Sequence, residues 1–129
     1  MENLEIKSSE DEFYIPTVNF NAETGICEIA GESYLEETTE FYEPLFNWIT
    51  RYIEEIKAPL IFNLKLIYYN TSSSKKILDL LRLFKDYEKA GGDVKVNWFY
   101  EDNDIDTIED IEDFMIITTL KINMIKLNS

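Results

Sequence analysis

An apolar run from Leu60 to Tyr69 leads directly into Asn70-Thr71-Ser72-Ser73-Ser74, and this is followed by an amphipathic segment from Ile77 to Tyr87. The residues from Leu60 to Ile67 are mostly apolar at both odd and even positions, the pattern of a central strand covered by helices. Ile77, Leu80, Leu81, Phe84 and Tyr87 recur at helical spacing and form one apolar face. Gly91-Gly92 stops that helix, because glycine readily takes the left-handed conformation that closes a helix C-terminus. Val94, Val96, Trp98 and Tyr100 then alternate as a second strand. A strand, a helix and a strand in this order require a right-handed crossover between parallel strands, which restricts the chain to α/β architectures.

The remaining segments extend the pattern. Phe13 to Phe20 and Ile26 to Ala30 flank the turn-rich Asn21-Ala22-Glu23-Thr24-Gly25, as two arms of a β-hairpin do. Gly31 to Thr39 reads as a loop, with Thr38 or Thr39 capping the next helix. In that helix Phe41, Leu45, Trp48, Ile49, Tyr52, Ile53 and Ile56 share a wide apolar face. Pro44 is tolerated only near its start, and Lys57-Ala58-Pro59 ends it. Ile105, Ile108, Ile111 and Met115 predict a third helix, and Lys121 to Leu127 a last strand. Met1 to Glu12 is polar and expected to fray, apart from a short pairing around Leu4-Glu5-Ile6. The expectation is one α/β domain over residues 13–129, a mixed sheet with helices packed against it in the order β-β-α-β-α-β-α-β.

Absences exclude much chemistry. No histidine is present, which removes imidazole acid–base catalysis and histidine–metal sites. Cys27 is the one cysteine, so no internal disulfide can form, and its place within a strand suggests a buried structural thiol in a reducing compartment. Gly25, Gly31, Gly91 and Gly92 make no phosphate-binding loop. The net charge of −14 opposes nucleic acid and anionic membranes as partners. No apolar run reaches the length of a membrane span and the first residues are acidic, so a cytoplasmic address is expected. Asp102, Asp104, Asp106 and Asp113 fall near calcium-loop spacing, but Thr107 stands where the loop needs glycine and Asp113 where it needs glutamate. An acidic helix start is the better reading, with no metal and no cofactor.

The hydroxyl cluster holds the remaining interest. It lies at a strand-to-helix turn, where unsatisfied N–H groups and the positive end of the helix dipole favour an anion. Thr71 or a neighbouring serine can serve as a plain cap there, or one hydroxyl can carry a phosphate in a favourable field. These residues alone favour the cap.

Several landmarks shift that balance. They are Gly31-Glu32-Ser33-Tyr34, Phe41-Tyr42-Glu43-Pro44 with Trp48, and the specific stretch from Leu64 through Asn70-Thr71-Ser72-Ser73; Gly91-Gly92 before Trp98-Phe99-Tyr100 also fits. Over nearly the whole chain, from about Ile15 onward, this pattern resembles the SiaC family of bacterial regulatory phosphoproteins, whose fold is similar to STAS domains and anti-sigma factor antagonists. Leu35 departs from it, at a position where the family often has proline. The resemblance implies a STAS-like domain with no catalytic residues and with Thr71 as phosphoacceptor. It further implies a Ser/Thr protein kinase that adds the phosphate, a PP2C-type phosphatase that removes it, and a diguanylate cyclase, making cyclic-di-GMP, that the bare form activates. The turn and its recognition by kinase and partner then fall to Tyr69, Asn70, Ser72 and Ser73, with Glu32, Ser33 and Tyr34. Ser73 or Ser74 caps the helix, and Lys75 and Lys76 partly offset the added charge. The competing readings are a constitutive acidic binding module and a small carboxylate-based enzyme.

Overall fold

The first strand of the sheet lies in the segment expected to fray. In the computed structural model, which describes residues 1–8, 15–35 and 37–127, Leu4–Ile6 forms β1 and pairs antiparallel with β2, Thr17–Phe20. The short pairing read at Leu4-Glu5-Ile6 is therefore present and ties the first residues to the sheet. The expected start of β2 at Phe13, and the boundary beside it, lie outside the described residues. β2 turns into β3, Ile26–Ser33, through a connection in which Gly25 adopts φ 75. A side chain at Gly25 would collide with the Pro59 carbonyl, so both the conformation and the close approach demand glycine.

From β3 onward the chain follows the expected alternation: α1 (Thr38–Arg51), β4 (Leu60–Tyr69), α2 (Thr71–Lys89), β5 (Val94–Glu101), α3 (Ile105–Thr118) and β6 (Ile122–Leu127). β3, β4, β5 and β6 are parallel, and the six strands lie side by side in chain order. Each helix therefore connects neighbouring strands and steps in the same direction. Right-handed crossovers of that kind place all three helices on one face.

The burial pattern of β4 shows the consequence. Leu60, Phe62, Leu64 and Leu66 are buried under the helices, whereas Ile61 and Asn63 are half-buried and Lys65 and Ile67 are exposed. The expectation that helices cover β4 on both sides is thus corrected to one. The uncovered face is solvated through a polar row that crosses the whole sheet in register: Glu5, Asn19, Glu28, Asn63, Asn97 and Asn123. The Asn97 amide donates to Asn63 at 2.9 Å and that of Asn123 donates to Asn97 at 3.0 Å. Lys65 pairs with Glu28 at 2.8 Å. A polar ladder of this kind satisfies the face without a third layer.

Beneath the helices lies an aromatic core. Phe20 meets Trp48 at 5.2 Å, Phe62 meets Phe84 at 4.7 Å, and Trp98 contacts Tyr69 and Phe114, each at 5.9 Å between ring centroids. Cys27 is fully buried, and burial raises its thiol pKa, which fits the structural role read from its strand position.

The helix ends revise several local assignments. α1 is capped by the Glu37 carboxylate, which accepts from the Thr39 N–H at 3.0 Å, so Thr38 is the first helical residue and neither threonine is the cap. Pro44 lies inside α1, which continues as a π-helical turn at Tyr52–Ile56 and closes at Lys57 with φ 54. α2 ends in two reversed bonds, Gly91 N–H to the Glu88 carbonyl and Gly92 N–H to the Tyr87 carbonyl, with Gly91 at φ 99. The Asp104 carboxylate caps α3 by accepting from both the backbone and the hydroxyl of Thr107.

Candidate functional site

β3 and β4 end side by side, and their junction shapes the turn. β3 runs on through Ser33, so Gly31-Glu32-Ser33 is strand and not the start of a loop. Gly31 pairs with Leu66 but Glu32 pairs with Tyr68, which leaves Ile67 without an opposite residue. This bulge shifts the alternation of β4 by one residue. Tyr69 consequently turns toward the helices, while Ile67 and Tyr68 are both exposed.

Asn70 makes the turn into α2. Its backbone is extended, its N–H donates to the Ser33 carbonyl at 3.1 Å, and its side-chain amide donates to the Leu35 carbonyl at 2.8 Å. The side-chain oxygen accepts from the Ser73 N–H at 2.9 Å, the geometry of an N-cap. Asn70 is therefore the cap, which corrects its assignment to Thr71, Ser73 or Ser74. Ser74 instead donates its hydroxyl to the Thr71 carbonyl at 2.8 Å. Thr71 and Ser72 open the helix and are both exposed.

Ser73 behaves differently. It is fully buried, as are Ser33 and Tyr42. Its hydroxyl donates to the Ser33 carbonyl at 3.0 Å and accepts from the Ser33 hydroxyl at 2.8 Å. Ser33 in turn lies 2.7 Å from the Tyr42 hydroxyl. Each hydroxyl can donate once in one direction along the chain Tyr42, Ser33, Ser73, and this satisfies polar groups whose burial would otherwise be costly. Burial raises the Tyr42 pKa, and its bonds to Ser33 and Ser73 partly offset the rise. The turn is thus braced from below against α1 and β3. On the other side the Tyr69 hydroxyl donates to Asp110 at 2.8 Å, tying the end of β4 to α3. Burial raises the Tyr69 pKa as well, and the nearby Asp110 carboxylate adds to the rise.

The residues singled out from the sequence therefore fall into two sets. Glu32, Tyr34, Thr71 and Ser72 are exposed, with Tyr34 packed against Tyr68 at 5.3 Å. Ser33, Ser73 and Tyr69 lie beneath or beside the turn as supports, where no partner touches the two serines directly. Asn70 joins the two sets. Lys75 is exposed and Lys76 partly so, one turn further along α2. Sequence reasoning did not identify Tyr42, Thr107 and Asp110 as supports. The available signal was a hydroxyl-bearing ring at Tyr42, in helical spacing with Leu45 and Ile49.

Asn70 carries both the cap and the link to Leu35. Asn70→Ala is expected to cost about 2 kcal/mol, the upper end of cap deletions. Thr71→Ala, at an exposed position, should stay within about 0.5 kcal/mol of the parent. Urea unfolding of the two variants checks this ordering, and equal losses would overturn the assignment of the cap to Asn70.

Among the described residues no group of three or more cysteine and carboxylate side chains is placed to hold a metal ion, and no helix is long and apolar enough to cross a membrane. The turn offers an exposed hydroxyl on a rigid base at a helix N-terminus, an arrangement suited to accepting a group and presenting it.

Residues 6–127 match the family described as SiaC family regulatory phosphoprotein. An uncharacterized protein of Pseudomonas aeruginosa (strain UCBPP-PA14) is 29% identical over 99 residues, covering 77% of this chain and 79% of its own length. The crystal structure of apo-SiaC from Pseudomonas aeruginosa superposes with a TM-score of 0.88 at 26% identity, covering 97% of this chain and 99% of that one. A crystal structure of the diguanylate cyclase SiaD in complex with its activator SiaC, from the same organism, contains a chain that superposes with a TM-score of 0.87 at 25% identity, covering 96% of this chain and 99% of that one.

Proposed function

The chain belongs to the SiaC family of regulatory phosphoproteins, and on that premise we propose that it is a non-enzymatic partner-switching protein with Thr71 as phosphoacceptor. A Ser/Thr protein kinase phosphorylates Thr71 and a PP2C-type phosphatase reverses the step, in the cytoplasm. The unphosphorylated form binds and activates a diguanylate cyclase, as the activator in the neighbouring complex does for its own cyclase.

The observation that carries this reading is the contrast among adjacent hydroxyls. Thr71 stands exposed at the first position of α2, whereas Ser73 is fully buried and engaged in two hydrogen bonds. A kinase reaches the first without disturbing the fold and cannot reach the second. The N-terminal amides and dipole of α2 then favour the added charge. Ser72 is exposed too, and the preference for Thr71 over it rests on the resemblance of the surrounding stretch to the family pattern.

Mass spectrometry after incubation with the cognate kinase tests the assignment. One phosphate on Thr71, and none on the Thr71→Ala protein, is expected. Stoichiometric phosphate on Ser72, or label that persists in Thr71→Ala, would sink it.

A further inference from the structure

The bulge in β4 leaves two adjacent large side chains in water, Ile67 by the strand's own alternation and Tyr68 because the register shift turns it outward. Ile67 is 77% exposed, the highest value among the large apolar side chains described, and Tyr68 beside it is 46% exposed. Bulges re-aim side chains, and one that turns Tyr68 outward beside an already exposed Ile67, at the carboxyl end of β4, gives up the burial of a large ring. Ile67 and Tyr68 border a hollow of about 150 Å³ whose other walls include Asp104, Asp106 and Asp110. Ile105, between the first two aspartates, is 65% exposed. The lining residues of this hollow include three carboxylates and no cation. An apolar centre with a one-sided acidic rim is complementary to a segment of opposite charge.

We infer that the Ile67–Tyr68 patch with its aspartate rim is a docking surface for a cationic amphipathic segment of a partner protein. Apolar side chains of that segment cover Ile67 and Ile105, and its lysines or arginines face Asp104 and Asp106. The surface adjoins the turn, since Tyr68 packs against Tyr34 at 5.3 Å, but its centre at Ile67 and Ile105 does not use the Thr71 hydroxyl. Consecutive Cα atoms lie about 3.8 Å apart, so the Thr71 Cα is within about 11 Å of that of Tyr68, close enough for a phosphate to deepen the negative field. A cationic occupant is therefore retained when Thr71 acquires charge, whereas a partner packed on the bare turn is expelled.

The probe is a synthetic amphipathic peptide of leucine and lysine, titrated into the ¹⁵N-labelled full chain and compared with the same pattern carrying glutamate. Shift changes should centre on Ile67, Tyr68 and the first turn of α3, for the lysine peptide alone, and should weaken with salt. Ile67→Ser, which removes the apolar side chain without adding charge at so exposed a position, should lower affinity about tenfold or more. Asp104→Asn with Asp106→Asn, which keeps a competent cap, should lower affinity and flatten the salt dependence. Thr71→Glu should bind the probe at least as well as the parent. Perturbations centred elsewhere, unchanged affinity in Ile67→Ser, or loss of the probe in Thr71→Glu would each overturn the inference. None of these results depends on the kinase or cyclase, so the surface and the Thr71 switch stand or fall separately.

Discussion

Phosphorylation of Thr71 should lower affinity for the output partner on the order of a hundredfold while leaving the fold unchanged. The phosphate adds about −1.5 to −2 charges at pH 7. In the free protein those charges sit at the N-terminus of α2, where the interaction is favourable by about 0.3–1 kcal/mol. A partner packed on the bare turn would have to bury them, and removing an unpaired ion from water costs several kcal/mol. A hundredfold loss corresponds to about 2.8 kcal/mol, well inside that range. The fold is insulated because Thr71 is exposed and the Tyr42, Ser33 and Ser73 hydroxyls that brace the turn do not use its side chain. Thr71→Ala should bind as the bare protein does, and Thr71→Glu more weakly. Calorimetry on the bare and phosphorylated forms reads the first half, circular dichroism the second. Equal affinity of the two forms would remove the switch, and a loss of helical signal would remove the rigid scaffold.

A larger effect on stability is expected at Trp98. Its ring is fully buried between Tyr69 and Phe114, so Trp98→Ala should destabilise the domain by about 3–5 kcal/mol. That is a large part of the roughly 5–15 kcal/mol typical of a domain. The indole N–H has no hydrogen-bond partner among the described residues, which costs about 1–3 kcal/mol. Trp98→Phe removes that donor and part of the ring together. The two changes oppose each other, and the net loss should stay under about 1.5 kcal/mol. Chemical denaturation of both variants separates the contributions. A phenylalanine variant as unstable as the alanine variant would show that the indole nitrogen is satisfied in solution.

Much of this architecture was legible in the residues because it rests on short-range chemistry. Helical spacing at Ile77, Leu80, Leu81 and Phe84, alternation from Val94 to Tyr100 and the Gly91-Gly92 stop each specify an element from neighbours within a few positions. Such elements in β-α-β order leave a parallel sheet as the outcome. Thr71 also stood out in the sequence, through the resemblance carried by the stretch around it. The cap was misplaced by one to four residues, onto Thr71, Ser73 or Ser74, because asparagine, serine and threonine all cap well, and only backbone geometry shows which side chain faces the orphan amides.

The tertiary structure alone decided which face of β4 is covered. Nothing local distinguishes Leu60 from Ile61, and the step direction of three successive crossovers assigns them to opposite environments. It also divided the hydroxyl cluster. Ser33 and Ser73 are 40 residues apart and resemble their neighbours in composition, yet they meet at 2.8 Å under the turn while Thr71 faces solvent. A single-residue bulge between the partners of Gly31 and Glu32 turned Tyr68 outward and Tyr69 inward, against the alternation that the strand itself suggests. Propensity and periodicity act along the chain, whereas burial, pairing register and hydrogen bonding between distant residues exist only once the chain has closed on itself.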